Sequence, residues 1–172
     1  MNYFELFGLP AQFRIDGEVL AQAYRQLQTQ FHPDKFVSRP ERERLQAVQQ
    51  AARINDAFST LKNPLSRAEY LLSLQGMDIR GEQQTLKDPM FLMQQMEWRE
   101  QLEEIPAATD VFAAIMAFER ELKQASDEYF RELEQQLSAA DWEQAADTVR
   151  KLKFMAKLHA ELERVEDAQQ EF

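Results

Sequence analysis

The sequence contains no cysteine, and its 172 residues include only four glycines and two histidines. Without cysteine the chain can form no disulfide, no thiolate metal site and no cysteine nucleophile, which fits a reducing compartment. Gln, Glu, Leu and Ala, which all favour helices, are instead abundant. The composition therefore predicts an all-α protein.

Long hydrophobic runs are also missing. No stretch approaches the roughly 20 consecutive apolar residues that span a bilayer. The first residues, MNYFELFGLP, carry no basic segment followed by a long apolar run, so we expect no signal peptide. Because 44% of the residues are hydrophobic, a packed core is possible. We expect a soluble, cytoplasmic protein.

Basic residues are scarce in the second half of the chain. Residues 1–75 hold nine Lys and Arg against eight Asp and Glu, a net charge of +1. Residues 76–172 hold 11 against 22, a net charge of −11. Such a charge repels nucleic-acid phosphates and anionic lipids. We therefore expect neither nucleic acid nor a membrane as a partner.

Residues 1–75 show the pattern of four helices. The second begins after Asp16 and ends before Pro33, because proline disfavours helical backbone in the residue that precedes it. Its apolar residues form one stripe: Leu20, Tyr24, Leu27 and Phe31. A third helix follows Pro40, and we expect it to bury Leu45, Val48, Ala51, Ile54, Phe58 and Leu61. Asn63 and Pro64 begin a fourth helix.

Two of the four glycines lie in residues 76–83, where the charge balance also changes. We assign this stretch as a linker between a first domain, 1–75, and a second domain, 84–172. Beyond it, three longer helix patterns start near Asp88, Asp110 and Trp142. Helices joined by short turns pack antiparallel, so the second domain is predicted to be an antiparallel three-helix bundle.

The two histidines, His32 and His159, are the candidates for acid–base or metal chemistry. His159 continues the spacing of the apolar residues Trp142, Ala145, Val149 and Leu152, so we expect it in the core or at its edge. The segment His32–Asp34 offers one imidazole and one carboxylate, which are too few ligands for zinc. The sequence shows neither a Ser–His–Asp arrangement nor a phosphate-binding glycine loop. An enzyme that uses His32 and Asp34 is therefore a weak alternative.

A helix end followed by a turn would explain Pro33. It would not explain why Phe31, Lys35 and Phe36 flank this loop, or why Arg25 lies on the outward helix face with Gln22, Gln28 and Thr29. A rigid loop with one anion, one cation and one imidazole is suited to docking on another protein.

The tripeptide HPD between two such helices, followed by NPLSRAEYLL, resembles a J-domain. Further segments extend a resemblance to the HscB family, J-type co-chaperones of iron–sulfur cluster assembly, from Met1 to about Leu162. They are YFELFGLP, FHPDKF, RINDAFSTLKNPLSRAEYLL, FLMQQMEWREQLEEI and AADTVRKLKFMAKL. The resemblance implies a J-domain helical hairpin that docks on an HscA-type chaperone ATPase of the DnaK class and stimulates it. It also implies that the acidic bundle binds the iron–sulfur scaffold IscU.

The chaperone-binding residues that follow from this resemblance are His32, Pro33, Asp34, Lys35, Arg25 and Gln28. Many J-domains carry several basic residues on the second helix, whereas this helix has mostly glutamine with Arg25. We therefore expect a weaker electrostatic contribution and a more specialised chaperone partner. The N-terminal cysteine module of some eukaryotic relatives is absent from the sequence, so no metal is expected.

The helix after Pro89 has two apolar faces. We expect the first to form the core: Phe91, Trp98, Leu102 and Ile105. Leu92, Met93 and Met96 fall on a neighbouring face with Glu97, Glu100 and Glu104. They either cover another helix or the first domain, or form an adaptable patch for a protein partner. Phe154, which we expect off the apolar seam of its own helix, favours the patch.

The resemblance places the matching positions on the scaffold-binding surface. We thus expect Leu92, Met93, Met96, Glu97, Glu100, Glu104 and Phe154 to bind the scaffold. The predicted protein is a co-chaperone with no catalytic site, cofactor or metal, which delivers the scaffold to the chaperone. The alternative is a general J-domain protein that delivers unfolded clients.

Overall fold

Every regular element in the described residues (1–80, 86 and 88–170) of the computed structural model is a helix. The all-α prediction is confirmed. The chain divides into two compact units, Met1–Asp78 and Ile79–Phe172. The predicted linker, 76–83, includes residues 81–83, which lie outside the described residues, so its bounds stay a prediction.

The first unit consists of helices α1 to α4 and one short 3-10 turn between α2 and α3. The elements are α1 (Tyr3–Leu6), α2 (Gly17–Gln30), the 3-10 turn (Pro33–Phe36), α3 (Glu41–Lys62) and α4 (Pro64–Leu74). Helix α2 begins where Asp16 accepts the N–H groups of Glu18 and Val19, and Asn63 caps α4 in the same way.

Tyr24 joins α2 to α3. Its ring stacks on Phe58 with centroids 4.0 Å apart, and its hydroxyl donates a hydrogen bond of 2.7 Å to Oδ1 of Asn55. Leu20 and Ile54 are buried. These contacts make α2 and α3 a helical hairpin, and the 3-10 turn lies at its tip.

The first half of α3 contradicts the predicted core stripe. Leu45 is 56% exposed and Val48 is 51% exposed, whereas Ala47 is buried in their place. The predicted stripe advances by three residues from Leu45 to Ile54, and each such step turns the face by about 60° at 100° per residue. Over three steps the face turns by about 180°, so Leu45 and Ile54 lie on opposite sides of the helix.

The second unit contains the three longer helices. They are α5 (Pro89–Glu104), α6 (Val111–Ser138) and α7 (Trp142–Gln170), with a 3-10 turn at Ile105–Ala107. Asp88 caps α5 and Asp110 caps α6. In the turn between α6 and α7, Ala140 has a φ of +58°, a left-handed backbone that usually favours glycine. The predicted bundle is confirmed.

The core of the second unit lies where all three helices meet. The predicted stripe of α5 is buried, as are the inward residues of α6. The buried cluster comprises Phe91, Trp98, Leu102, Ile105, Ile115, Phe118, Leu122, Met155, Leu158 and Leu162.

Two expectations for α7 are wrong for one reason. Its buried residues Val149, Leu152, Met155 and Leu158 advance by three, so the buried face turns by about 180° between the first and the last. His159, which the earlier spacing placed at the core, is exposed and lies 3.5 Å from Glu163 through Nε2. Phe154, expected off the seam, is half-buried and packs against the core cluster.

Candidate functional site

The loop at the tip of the first unit holds His32 and Asp34 in one small hydrogen-bonded turn. His32 caps the 3-10 turn, and its Nδ1 accepts the backbone N–H of Asp34 at 3.2 Å. The imidazole therefore positions the Asp34 backbone, and Pro33 fixes the first residue of the turn.

The Asp34 carboxylate is turned to solvent. Its side chain is 88% exposed, and Oδ2 lies 3.6 Å from Nδ1 of His32. Among the described residues no Lys or Arg pairs with it. Lys35, the next residue, is exposed as well. A fixed loop with an exposed anion beside a cation is available to a charged partner.

Arg25 and Gln28 lie on the exposed face of α2, as predicted. Gln28 is tied to the fold, because its Nε2 donates to the Tyr24 hydroxyl at 3.1 Å. The Thr29 hydroxyl donates a hydrogen bond to the backbone carbonyl of Arg25, so this bond does not involve the Arg25 side chain. Arg25 is thus the basic side chain that this face of α2 presents ahead of the loop.

The second predicted site lies on α5. Met93 and Met96 are 62% and 66% exposed, and Leu92 is also exposed. At 100° per residue these three span about 100° of the helix surface, opposite the buried stripe. Glu97, Glu100 and Glu104 are exposed and border them on one side. The surface they form, Leu92, Met93 and Met96 with these glutamates, is called the α5 patch below.

Phe154 joins the aromatic cluster beside α5 and is not a free-standing surface residue. Its ring meets Phe91 edge-on at 5.8 Å and stacks on Trp98 at 6.4 Å. The Arg99 guanidinium lies over the Phe154 ring at 5.5 Å from its centroid and pairs with Glu161 at 2.6 Å. Because Arg99 follows Leu92 by seven residues, it lies on the same side of α5. Because its ring contacts Arg99, Phe154 lies next to the edge of the α5 patch.

Asp88 fixes the beginning of α5. Its carboxylate accepts the N–H groups of Met90 at 3.1 Å and Phe91 at 3.3 Å, and it lies 3.2 Å from Nζ of Lys151 on α7. The Phe91 N–H and then Lys151 hold the pKa of the Asp88 carboxyl below its usual range. The cap therefore joins α5 to α7 beside the α5 patch.

A cavity of about 450 Å³ lies where α5 ends and α6 begins. Ile105 and Phe118 contribute its apolar lining, and Glu104 and Glu121 are its acidic residues. Gln101 donates to Glu121 at 3.3 Å, so the polar residues of this cavity are partly paired. Glu104 belongs to both the cavity and the α5 patch.

The described residues contain no group of three or more His, Asp or Glu side chains placed to hold a metal ion. No helix in that part of the chain is both long and apolar enough to cross a membrane.

Comparisons with known proteins fit both units. A DnaJ domain model matches residues 2–70, and a model of the HSCB C-terminal oligomerisation domain matches residues 87–163. The co-chaperone protein HscB homolog of Vibrio vulnificus (strain YJ016) is 58% identical over 167 residues, which cover 97% of this chain and 98% of the relative. The chain belongs to the HscB family of co-chaperones.

Solved HscB structures share the fold along almost the whole chain. The chaperone HscB from Vibrio cholerae is 55% identical, with a TM-score of 0.89 over 98% of this chain and 99% of that one. The human co-chaperone protein HscB is 30% identical, with a TM-score of 0.87 over 96% of this chain and 82% of that one. Relatives in the HscB family are named co-chaperones, and a J-domain implies an Hsp70-type chaperone as partner.

Sequence reasoning missed two features of these surfaces in this HscB-family chain. It assigned Leu45 and Val48 to the core, although they are exposed on α3. It gave no part to Arg99, which holds Phe154 beside the α5 patch. The position of Arg99 could have been predicted, because it follows Leu92 by seven residues and so lies on the same side of α5. The exposure of Leu45 and Val48 could have been predicted only by calculating the angle of each apolar residue around α3.

Proposed function

We propose that this chain stimulates the ATPase of an HscA-type chaperone and delivers to it an IscU-type iron–sulfur scaffold, which aids cluster transfer to acceptor proteins. It does so in the cytoplasm, by binding alone, and without catalysis or a cofactor of its own. One observation supports the proposal above all: the same HscB-family chain has both an exposed HPD loop and an exposed methionine patch bordered by glutamates.

In this proposal the HPD loop contacts the chaperone. Asp34 pairs with a basic group of the ATPase, and Lys35, Arg25 and Gln28 add contacts around it. His32 and Pro33 hold the carboxylate in place, because the Nδ1 hydrogen bond and the proline both restrict the turn. A fixed charge loses little conformational freedom when it binds, which favours affinity.

The α5 patch contacts the scaffold in this proposal. Methionine side chains are flexible and polarisable, so they adapt to a partner surface. The glutamates orient a partner that carries basic residues at its edge, and they repel acidic competitors. Phe154 contributes an aromatic edge to the same surface, although most of its ring packs inside the bundle.

The docking loop is tested by Asp34→Asn, which removes one charge and keeps the shape of the side chain. We expect stimulation of the chaperone ATPase to fall at least about tenfold, as for a buried charged contact at an interface. Asp16→Asn is the matched control, since it makes the same change on an exposed aspartate and asparagine caps helices equally well. Stimulation by Asp34→Asn equal to that of the control would disprove the docking role.

The α5 patch is tested by Met93→Gln together with Met96→Gln, which keep helix propensity but remove apolar surface. We expect scaffold affinity, measured by calorimetry, to fall by about tenfold or more, while the unaided chaperone stimulation stays unchanged. The control is Met116→Gln on α6, because Met116 is as exposed as Met93. Phe154→Ala is unsuitable here, since it also removes core packing.

The same titration distinguishes delivery of a folded scaffold from the alternative function, that of a general J-domain protein that delivers unfolded clients. A patch that serves unfolded clients would bind an unfolded apolar polypeptide as well as the folded scaffold, and the two would compete. Binding of the folded scaffold that an excess of unfolded polypeptide leaves unchanged is the outcome we expect.

A further inference from the structure

The cavity where α5 ends and α6 begins, called the α5–α6 cavity below, has an apolar floor. Ile105 and Phe118, each 4% exposed, form this floor. The short side chains of four alanines leave the space above it open: Ala107, Ala108, Ala114 and Ala117. Its volume of about 450 Å³ lies within the range of about 300–1,000 Å³ that is usual for ligand pockets. The cavity is therefore large enough to receive a long side chain.

The polar rim of the α5–α6 cavity offers hydrogen-bond acceptors. Glu104 on α5 and Glu121 on α6 are both exposed. Gln101 donates its Nε2 to Glu121 at 3.3 Å, so its amide oxygen is a third acceptor. None of the described residues that line the cavity is Lys or Arg, and Arg120 lies about 100° around α6 from Glu121. An apolar space with two carboxylates at its rim suits a long aliphatic chain that ends in a cation.

The α5–α6 cavity continues the α5 patch. Glu104 belongs to both, Gln101 lies about 60° from it around α5, and Met96 lies about 12 Å from it along the helix axis. A specific interface buries about 800 Å² on each partner, so a protein bound to the α5 patch also covers neighbouring surface. At the opposite border of the patch Arg99 pairs with Glu161, whereas among the described residues no Lys or Arg pairs with Glu104. The cavity side is therefore the border with charge left for a partner.

We propose that the α5–α6 cavity takes an arginine or lysine side chain of the folded scaffold that the α5 patch binds. This rests on the proposed binding of the scaffold by that patch. The aliphatic stem lies against Phe118 and Ile105, and the cationic head pairs with Glu104 and Glu121. Two residues of α6, Glu121 and Ala117, thereby join a binding surface that otherwise belongs to α5 and Phe154. A cation held at a fixed distance from the methionines sets the register of the partner on the bundle.

The test is a calorimetric titration of the full chain with the folded IscU-type scaffold. Glu121→Gln removes a charge at the rim, and Ala117→Leu fills the cavity without changing charge. We expect each to weaken binding about threefold to tenfold, and added salt to weaken the wild type more than Glu121→Gln. Glu119→Gln is the control for charge, since Glu119 is exposed about 160° around α6 from Glu121. Ala156→Leu, at an exposed alanine of α7, is the control for size.

Circular dichroism melting checks the fold of each variant, and Ala117→Met serves if Ala117→Leu melts early. If both cavity variants bind like their controls while Met93→Gln with Met96→Gln binds weakly, this inference is overturned and the α5 patch stands. If the methionine pair also binds like the wild type, the proposed scaffold site itself is wrong. Cadaverine that binds the wild type with a Kd below about 1 mM, but not Ala117→Leu, would assign the cavity to a free amine and so also overturn the inference.

Discussion

Asp88 shows how a single side chain secures the helix that carries the α5 patch. Its carboxylate caps α5 and also pairs with Lys151 on α7. These contacts favour the ionised form, so its pKa in the folded protein is lower than in the unfolded chain. The unfolded state therefore takes up more protons in acid, and the stabilisation by Asp88 is lost as the pH falls through its folded pKa.

Asp88→Asn should remove the part of this stabilisation that depends on charge. We expect the wild type to be more stable than the variant at neutral pH, and the difference to disappear as the pH falls through the folded-state pKa of Asp88. Urea denaturation followed by tryptophan fluorescence measures it, because both tryptophans, Trp98 and Trp142, lie in the second unit. A difference that stays constant over this pH range would show that the charge is unimportant.

At the scale of helices, the sequence predicted the positions of the helices more accurately than it predicted which face of each helix is buried. The caps at Asp16, Asn63, Asp88 and Asp110 mark helix starts from local hydrogen bonds alone, so sequence reasoning found them. The HPD loop was also found from sequence, since its residues are contiguous.

The buried faces of α3 and α7 depend on partners far along the chain. Both helices contain a run of apolar residues spaced by three, which turns about 180° around the helix. In α7 the buried face rotates around the helix with this run, because the later residues contact α5 as well as α6. In α3 the run starts on the solvent side at Leu45 and reaches the core only at Ile54. Spacing alone does not distinguish these two cases.

The turn between α6 and α7 offers a test at this scale. Ala140 has a φ of +58°, which costs an alanine about 1 kcal/mol relative to glycine. Ala140→Gly should therefore raise the free energy of unfolding of the second unit by about 0.5–1 kcal/mol. Ala139→Gly is the control, since Ala139 has a φ of −84° and should gain nothing. Equal effects at the two positions in chemical denaturation would exclude relief of strain.

For the molecule as a whole, the proposal requires two sites of different character on one chain. The first 75 residues are nearly neutral and the remainder has a net charge of −11, so a partner suited to one unit is not suited to the other. Covalent connection makes binding of the second partner intramolecular, which raises its effective concentration.

Mixing two defective chains tests this connection. Asp34→Asn retains the α5 patch, and the Met93→Gln, Met96→Gln chain retains the loop. We expect their equimolar mixture to stimulate the chaperone in the presence of scaffold no better than the second chain alone, because no molecule holds both partners. ATPase rates at sub-saturating concentrations measure it, with half the amount of wild type as the reference. Recovery to that reference would mean that the sites act independently.

The exposed methionines of the α5 patch also make this surface open to oxidation. The chain has no cysteine, so oxidants that attack sulfur meet methionine alone, and Met93 and Met96 are among the most accessible. Their sulfoxides are polar and are reversed by reductases. An oxidised chain would keep its buried core and its HPD loop while the α5 patch became polar. In the proposed function, oxidative stress would then release the client first and leave the chaperone contact in place.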